Sequence, residues 1–534
     1  MKKLPLLKSI IITLIVAGIY YYVSYPALNI TNWEFWIYII FLSFIFLAVY
    51  SILSARITIA ELFNKKPVRS AKVYKVFLFI PISVLAILLI NFFCTPFFNS
   101  EAYYKRIEVE NGIFEEEIKE VDFNKLPLLD RDSTLKIGDR TMGQMSELVS
   151  QFDVSEEYTQ INYNDEILRV TPLEYNGFIK WITNRKNGIK AYITVNSTTG
   201  KAKLVKMEKG MKYAPSAYFN ENLYRKIQMS YPTKNIEKVN FEIDNDGNPY
   251  WIASVVKYVG VGLRRDVVGV IIFNPINGKS NYYDVNKVPN WVDHVYEADL
   301  ILEQVADWGA YKNGFWNTIF GQKEVVETTT GYNYLAQDDD IYLYTGITSV
   351  IADESNIGFI LTNLRTKETK YYSVAGAEEY SAMDSAEGQV QQMKYKSTFP
   401  LLINLNGKPT YLVSLKDNAG LVKMYAFVDV VDYQKVVATD SSQGIEKAAE
   451  AYLNETLEEE TEIGKHEKEI TIFELKTAII DGNTMYYFRD QNEQKYKISI
   501  KENKNLLPFL QNGDKVIIKY NKETEVITIT DIKY

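Results

Sequence analysis

The chain has 534 residues, 47% hydrophobic and 24% charged, with a formal net charge of −8; disorder throughout and collagen-like or low-complexity fibres are excluded, and three or four domains of ~150 residues fit the length. Residues 1–100 carry nine Lys and Arg against Glu34 and Glu61, a balance of +7, so residues 101–534 carry −15. An acidic body repels polyanions, which argues against nucleic acid as a partner, while one cysteine (Cys94) and two histidines (His294, His466) exclude an intramolecular disulfide and Cys- or His-rich metal centres.

Three apolar runs come first along the chain: Ser9 to Val23, Trp33 to Leu53 and Tyr74 to Cys94. The second and third have the ~20 residues that cross a bilayer as a helix, and interfacial Tyr20, Tyr21 and Tyr22 extend the first to about Leu28. Lys2, Lys3 and Lys8 resemble the start of a signal peptide, but a tyrosine cluster and Pro26 stand where a cleavage site would be. Arg56, Lys65, Lys66, Arg69, Lys72 and Lys75 fill the segment between the second and third runs, and no Lys or Arg separates the first two. The positive-inside rule then puts the N-terminus in the cytoplasm and everything after about residue 98 outside the plasma membrane. No charge interrupts the apolar cores apart from Glu34 and Lys75 at their edges, so the head reads as an anchor and not as an ion path. A large external body without structural cysteines fits a Gram-positive surface.

Residues 99–150, with Glu115, Glu116 and Glu117 beside Lys119, read as a stalk and the entry to a first unit. A pattern of strand, Asn-opened turn and strand then recurs: Ala191 to Asn196 with Gly200-Lys201, Gly269 to Asn274 with Gly278-Lys279, and Gly358 to Asn363 with Lys367. Upstream hairpins accompany it, as Val239 to Ile243 turning at Asp244-Asn-Asp-Gly247 into Tyr250 to Val256. A fourth, divergent unit has strands Leu401 to Leu405, Thr410 to Leu415 and Met424 to Val431, with turns at Asn406-Gly407 and Asp417 to Gly420. Helical patterns at Ser381 to Met393 and Gln443 to Leu457 lie between strand groups. These are small α+β units, each a helix on an antiparallel sheet.

The hairpins Asn196 to Lys201 and Asn274 to Lys279 resemble the closing hairpin of the PepSY family of extracytoplasmic modules; the third copy departs from it, with Lys367 in place of glycine. That resemblance implies regulation or inhibition of an extracytoplasmic peptidase. The stretch Gly376 to Gln391, with Thr398-Phe-Pro-Leu-Leu402, resembles a group of large membrane-anchored Firmicute envelope proteins. After the acidic Glu458, Glu459, Glu460 and Glu462, five strands (Ile470 to Leu475, Thr484 to Phe488, Tyr496 to Ile500, Lys515 to Tyr520, Val526 to Ile532) with a helical turn at Asn505 to Leu510 resemble an OB-fold barrel. The expected fold is thus α+β: a three-helix transmembrane anchor (1–98), a stalk (99–150), tandem units (151–220, 221–325, 326–395, 396–457) and a five-stranded OB-like barrel (465–534).

Motifs that mimic chemistry fail on inspection. Gly278-Lys279-Ser280 lacks the P-loop's first glycine, Phe273 standing there; Gly260-Val-Gly262 meets Arg265 at the third glycine position; His466-Glu467 lacks a second histidine. Asp244 to Gly247 reads as a hairpin turn, Asp338, Asp339 and Asp340 as a solvated acidic loop open to a cation, and His294 as a partly buried structural histidine without a nucleophile. No enzyme activity, cofactor or metal is expected. The aromatic stretch 308–320 is the candidate partner-binding site, with Trp308, Phe315, Trp316 and Phe320 either packed in the core or exposed to a partner or the outer membrane face. The expected partners are an envelope protein or a second copy of the chain, the membrane, and cell-wall glycopolymer, which the 40 tyrosines would suit.

Overall fold

The computed structural model describes residues 4–63, 79–143, 146–337, 340–350, 352–462, 466–480, 483–520 and 526–534, and divides into two compact units, Met1–Ala438 and Thr439–Tyr534. The first opens with α1 (Leu4–Ser24) and α2 (Trp33–Phe63), both long and apolar enough to cross a membrane. They pack as a hairpin, Tyr20 lying 5.3 Å from Tyr38 and 5.0 Å from Phe41 between ring centres. α3 (Phe79–Cys94) is shorter than a full span and bends by 52° into α4 (Pro96–Tyr104). Pro96 has no N–H to continue α3 and suits the first turn of α4, which places the kink. Residues 74–78 of the expected third span, and Lys65, Lys66, Arg69, Lys72 and Lys75 of the basic segment, lie outside the described residues.

Residues 99–150, expected as a stalk, are instead built into the body. β1 (Val109–Gly112) pairs in parallel with the strand Thr369–Tyr372, and α5 (Phe114–Glu117) buries Phe114. Val121 N–H donates to Asn404 O at 2.9 Å and Leu129 N–H to Ser197 O at 3.0 Å. Charged composition suggested solvation here, but the backbone finds its partners in distant strands.

α6 (Arg131–Gly143) and α7 (Ser146–Val149) lead into the first sheet: β2 (Phe152–Val154), β3 (Thr159–Tyr163), β4 (Glu166–Tyr175), then α8 (Phe178–Asn184), β5 (Ile189–Asn196) and β6 (Ala202–Met211). α9 (Leu223–Ser230) precedes the second, a meander of β7 (Asn235–Ile243), β8 (Pro249–Lys257), β9 (Asp266–Phe273) and β10 (Ser280–Asp284). α10 (Ala298–Tyr311) and α11 (Phe315–Phe320) precede the third: β11 (Val326–Thr328), β12 (Asn333–Gln337), β13 (Asp340–Ser349), β14 (Ala352–Asn363), β15 (Thr369–Tyr372) and β16 (Gly376–Ala377), with β1 added at the edge. α12 (Glu379–Gln389) precedes the fourth, made of β17 (Lys396–Ser397), β18 (Leu401–Leu405), β19 (Lys408–Lys416), β20 (Val422–Asp429) and β21 (Val436–Asp440).

The recurring turn has one physical basis. The side-chain oxygen of Asn196 accepts the N–H groups of Thr198 and Thr199, that of Asn274 those of Ile276 and Asn277, and that of Asn363 those of Arg365 and Thr366. The residue four positions on is left-handed in each: Gly200 (φ 71), Gly278 (φ 74) and Lys367 (φ 67). In the fourth sheet the same role falls to Asp429, which accepts from Val431 and Asp432 between β20 and β21; Asn406-Gly407 joins β18 to β19.

Neighbouring sheets share cores, so the expected separate units merge into one body. In the second sheet, Phe241, Trp251 and Phe273 face a core with the first sheet, while Ile252, Val270 and Ile272 face α10 and the third. Tyr344 and Phe359 of the third sheet join a core with the fourth. Burial on both faces explains near-continuous apolar strands such as Val267 to Phe273.

The second unit contains α13 (Ile445–Glu462), β22 (His466–Thr471), β23 (Glu474–Ile480), β24 (Asn483–Arg489), β25 (Lys495–Ser499), β26 (Lys515–Tyr520) and β27 (Val526–Lys533). The sheet order is β22-β26-β27-β25-β24-β23, antiparallel except for the parallel pair β25 and β27. Six strands replace the expected five, because the first breaks at Ile472-Phe473 and its two halves lie at opposite edges. Ile470, Tyr496, Ile498, Leu507 and Ile518 form its core.

Candidate membrane-facing interface

The four aromatic residues singled out from the sequence do not act as one set. Trp308 sits on α10, half-buried, its ring 6.1 Å from Tyr371 and packed against the core between the second and third sheets. Gly314, at φ 86, breaks the chain after α10 and starts α11 in a new direction. There Phe315 and Trp316 each lie 5.4 Å from Phe97, and Trp316 stacks on Phe320 at 5.7 Å. Trp316 is 56% exposed and Phe320 79%, with Ile319 open beside them. Phe97 belongs to a ring cluster with Phe92, Phe93 and Phe98 at the bend of α3 into α4. α11 therefore extends, at the body's surface, the aromatic end of an apolar helix.

The body is fastened to the same ends of the other helices. Between α1 and α2, Leu28 N–H donates to Pro232 O (2.7 Å), the Asn29 amide to Thr233 O (3.0 Å) and the Asn32 amide to Asn235 Oδ1 (3.2 Å). The β8–β9 connection reaches back: Gly262 N–H donates to Thr31 O at 2.9 Å, and Val261 exchanges two hydrogen bonds with the Asn91 amide on α3, at 2.8 and 3.0 Å. An amide in an apolar helix is costly unless satisfied, and here the body's backbone satisfies it. Gly262, at φ 69, lets the loop lie flat on Trp33, whose indole a Cβ would approach to 2.2 Å. Arg106, buried beyond α4, pairs with Glu303 (2.7 Å) and with Asp307 on α10, and donates to Arg265 O (2.8 Å).

A second exposed apolar surface went unnoticed in the sequence. Phe178, Ile179 and Ile182 on α8 and Phe219 are all exposed, Phe178 lying 5.1 Å from Tyr218 and 6.3 Å from Phe219. Buried Trp181 supports them, donating to Glu221 at 2.9 Å with Arg185 stacked over its ring at 4.6 Å. Phe219 holds a left-handed φ of 52, strained for an aromatic residue. Next to it Asn220 accepts from Tyr22 Oη (3.0 Å), and Arg225 donates to Tyr22 O (2.8 Å) while lying over the Tyr22 ring at 4.7 Å. This surface adjoins the end of α1. The available signal was Gly177-Phe-Ile-Lys-Trp-Ile182, an apolar run between two strands.

The remaining motifs are structural. Gly278-Lys279 is the β9–β10 turn, with Gly278 against Tyr213, and Asp244 caps the β7–β8 turn by accepting from Asp246 and Asn248. Asp340 is not a solvated residue: it is buried and takes a bidentate pair from Arg365 at 2.6 Å each, whereas Asp338 and Asp339 lie outside the described residues. His294 is fully rather than partly buried, its Nε2 2.7 Å from Gln160 O, and burial holds its pKa below the ordinary value. His466 is exposed and stacks on Tyr520 at 5.3 Å.

No protein-family model and no curated protein matches the chain. Among solved structures it is similar to the crystal structure of an ACO/RPE65 chimera, at 8% identity over 69% of this chain and 59% of that one, with a TM-score of 0.12. So low a score carries no argument about fold or activity.

Proposed function

We propose that this chain is a membrane-anchored cell-envelope protein whose body rests on the outer face of the plasma membrane as a non-enzymatic scaffold or interaction platform. In this reading the N-terminus is cytoplasmic, α3 and α4 together make a third span, and residues after about 98 are extracytoplasmic. The observation that carries it is the fastening of the body to the ends of α1, α2 and α3, through residues 28–32, Asn91 and the loop at 261–262, with exposed aromatic surfaces beside those contacts. A flexible tether needs no such contacts; a platform held at fixed height and orientation does. Crosslinking in cells should capture a reproducible envelope partner or a homo-oligomer, and a chain that stays solitary would refute the proposal. Orientation is tested separately: Ser70→Cys should resist impermeant thiol reagents in intact cells, and Ser442→Cys, on an exposed residue, should label.

A second reading, regulation of an extracytoplasmic peptidase, is favoured by one observation, the Asn-capped turn at the same place in three successive sheets, as PepSY-like modules would have. A changed peptidase rate on adding the full-length protein in nanodiscs would favour it over the scaffold. The order of strands in the second unit, with β25 parallel to β27 and a 3-10 turn at Leu507–Phe509 before β26, supports an OB-like barrel in which β22 and β23 share the role of first strand.

A further inference from the structure

Strands from all four sheets of the first unit border a polar cavity of about 490 Å³, a size that suits a small-molecule ligand. Gln160 lines it from β3, Arg169 from β4, Lys238 from β7 and Tyr334 from β12, with His294 and Glu297 from the segment before α10. Arg131 and Glu157 also line it and are exposed, so it communicates with solvent.

Arg169 is the anomaly. Its neighbours on β4, Leu168 and Val170, belong to the apolar core, whereas its own half-buried side chain borders the cavity, with Nε buried and unpartnered. Among the described residues no carboxylate pairs with its guanidinium. The nearby acids are already engaged: Asp130 accepts Ser133 N–H on Oδ1 and Lys416 on Oδ2, and Glu297 is held by Lys238 at 3.4 Å and by Asn240. Gln160, 3% exposed, leaves both atoms of its amide unpartnered. Burial keeps His294 neutral and the Tyr334 phenol protonated, so neither supplies a counter-charge. A partly desolvated cation without a directly paired carboxylate is costly, and a guanidinium fork matches the two oxygens of a carboxylate or phosphate.

We propose that this cavity binds a small carboxylate- or phosphate-bearing molecule, with Arg169 as its bidentate anchor and the Gln160 amide as a second polar contact. The site is separate from the membrane-facing surface and does not depend on the scaffold reading. The test is thermal unfolding of the full-length protein in detergent micelles, titrated with sodium phosphate or sodium malonate against sodium chloride of equal ionic strength. Phosphate or malonate should raise the melting temperature in a saturable way, and the stronger of the two identifies the ligand class. Arg169→Met should abolish the rise, and Arg169→Lys and Gln160→Met should each weaken apparent affinity by roughly tenfold, since each loses part of the polar contact. Without anion, Arg169→Met should melt no lower than the parent, because it removes a half-buried cation that no carboxylate pairs with. An unchanged anion response in Arg169→Met, no response up to ~100 mM anion, or collapse of the anion-free variant would each overturn the proposal.

Discussion

If lipid covers α11, its open side chains carry a free energy that can be measured. Burying a large apolar side chain completely contributes ~1.5–3 kcal/mol. Trp316, Ile319 and Phe320 are 56%, 52% and 79% exposed, and scaling by these fractions gives about 3–6 kcal/mol for the three together when a bilayer covers them. Replacing all three by Ala removes that contribution in a membrane yet changes stability in detergent by only ~0.5 kcal/mol, the usual scale for surface positions. Depth is read by reconstituting the parent and Trp316→Phe in vesicles of brominated lipid, the difference in quenching between them isolating Trp316. Bromines near the glycerol backbone should quench it strongly and those at the chain ends weakly, because aromatic side chains favour the headgroup level. Amides of α11 should also be protected from exchange in vesicles and lose that protection in the triple variant. An unquenched Trp316 in vesicles would refute the reasoning. So would a loss of several kcal/mol by the triple variant in detergent, since that would assign the side chains to packing.

Trp308→Ala, on the core side of the same stretch, should cost about 2–4 kcal/mol in denaturant unfolding, whereas Trp316→Ala should be near neutral; equal costs would contradict the division between them. Glu242 is fully buried, accepting Asp293 and His294 N–H groups at 3.0 and 3.1 Å, and burial raises its pKa to about 8 against an ordinary 4.5. Between those values the folded state holds a proton that the unfolded state has released, so stability should fall as pH rises through the window. His294, lowered by burial, acts in the opposite sense below its ordinary 6.5, which leaves pH 7 to 8 as the clean interval; Glu242→Gln should flatten the slope there, and an unchanged slope would remove Glu242 as its source. Gly262→Ala places a Cβ on the Trp33 indole in a left-handed backbone, and should destabilise by about 1–3 kcal/mol. Its effect should appear as faster hydrogen exchange at residues 28–32; unchanged exchange would show that the loop does not hold the helices.

What could be read from the sequence was local. α1, α2 and the hairpins around Asn196, Asn274 and Asn363 follow from runs of side chains and turn residues that act over a few positions. Pairing across the chain is not encoded that way: nothing near Val109 points to Thr369, so a segment of mixed charge read as a stalk. The barrel's first strand is broken for a similar reason, because Ile472-Phe473 looks continuous until two separate edges must be paired. Arg169 gave no signal at all, since a lone basic residue in a strand ordinarily reaches solvent; only the packing of four sheets turns it inward.

The four sheets share a run of four consecutive neighbouring strands, and the connection between its second and third strands differs from sheet to sheet. Between β8 and β9 that connection lies on Trp33 and Asn91; between β4 and β5 it carries α8 with its open Phe178, Ile179 and Ile182. In the fourth sheet it is a short turn capped by Asp417, and its Ala419 and Gly420 carbonyls accept from Lys136 and Ser133 of α6. A sheet buried on both faces tolerates little change in its strands, whereas a connection at its edge can lengthen or turn apolar without disturbing the shared cores. One frame has thus given one connection that contacts the apolar helices, one that presents an open apolar surface and one that ties the body to itself. Exchanging the β8–β9 connection for the short β19–β20 turn should therefore leave the sheets folded while releasing Asn91 and Trp33; loss of the whole fold in that variant would mean that the helices and the body are stable only together.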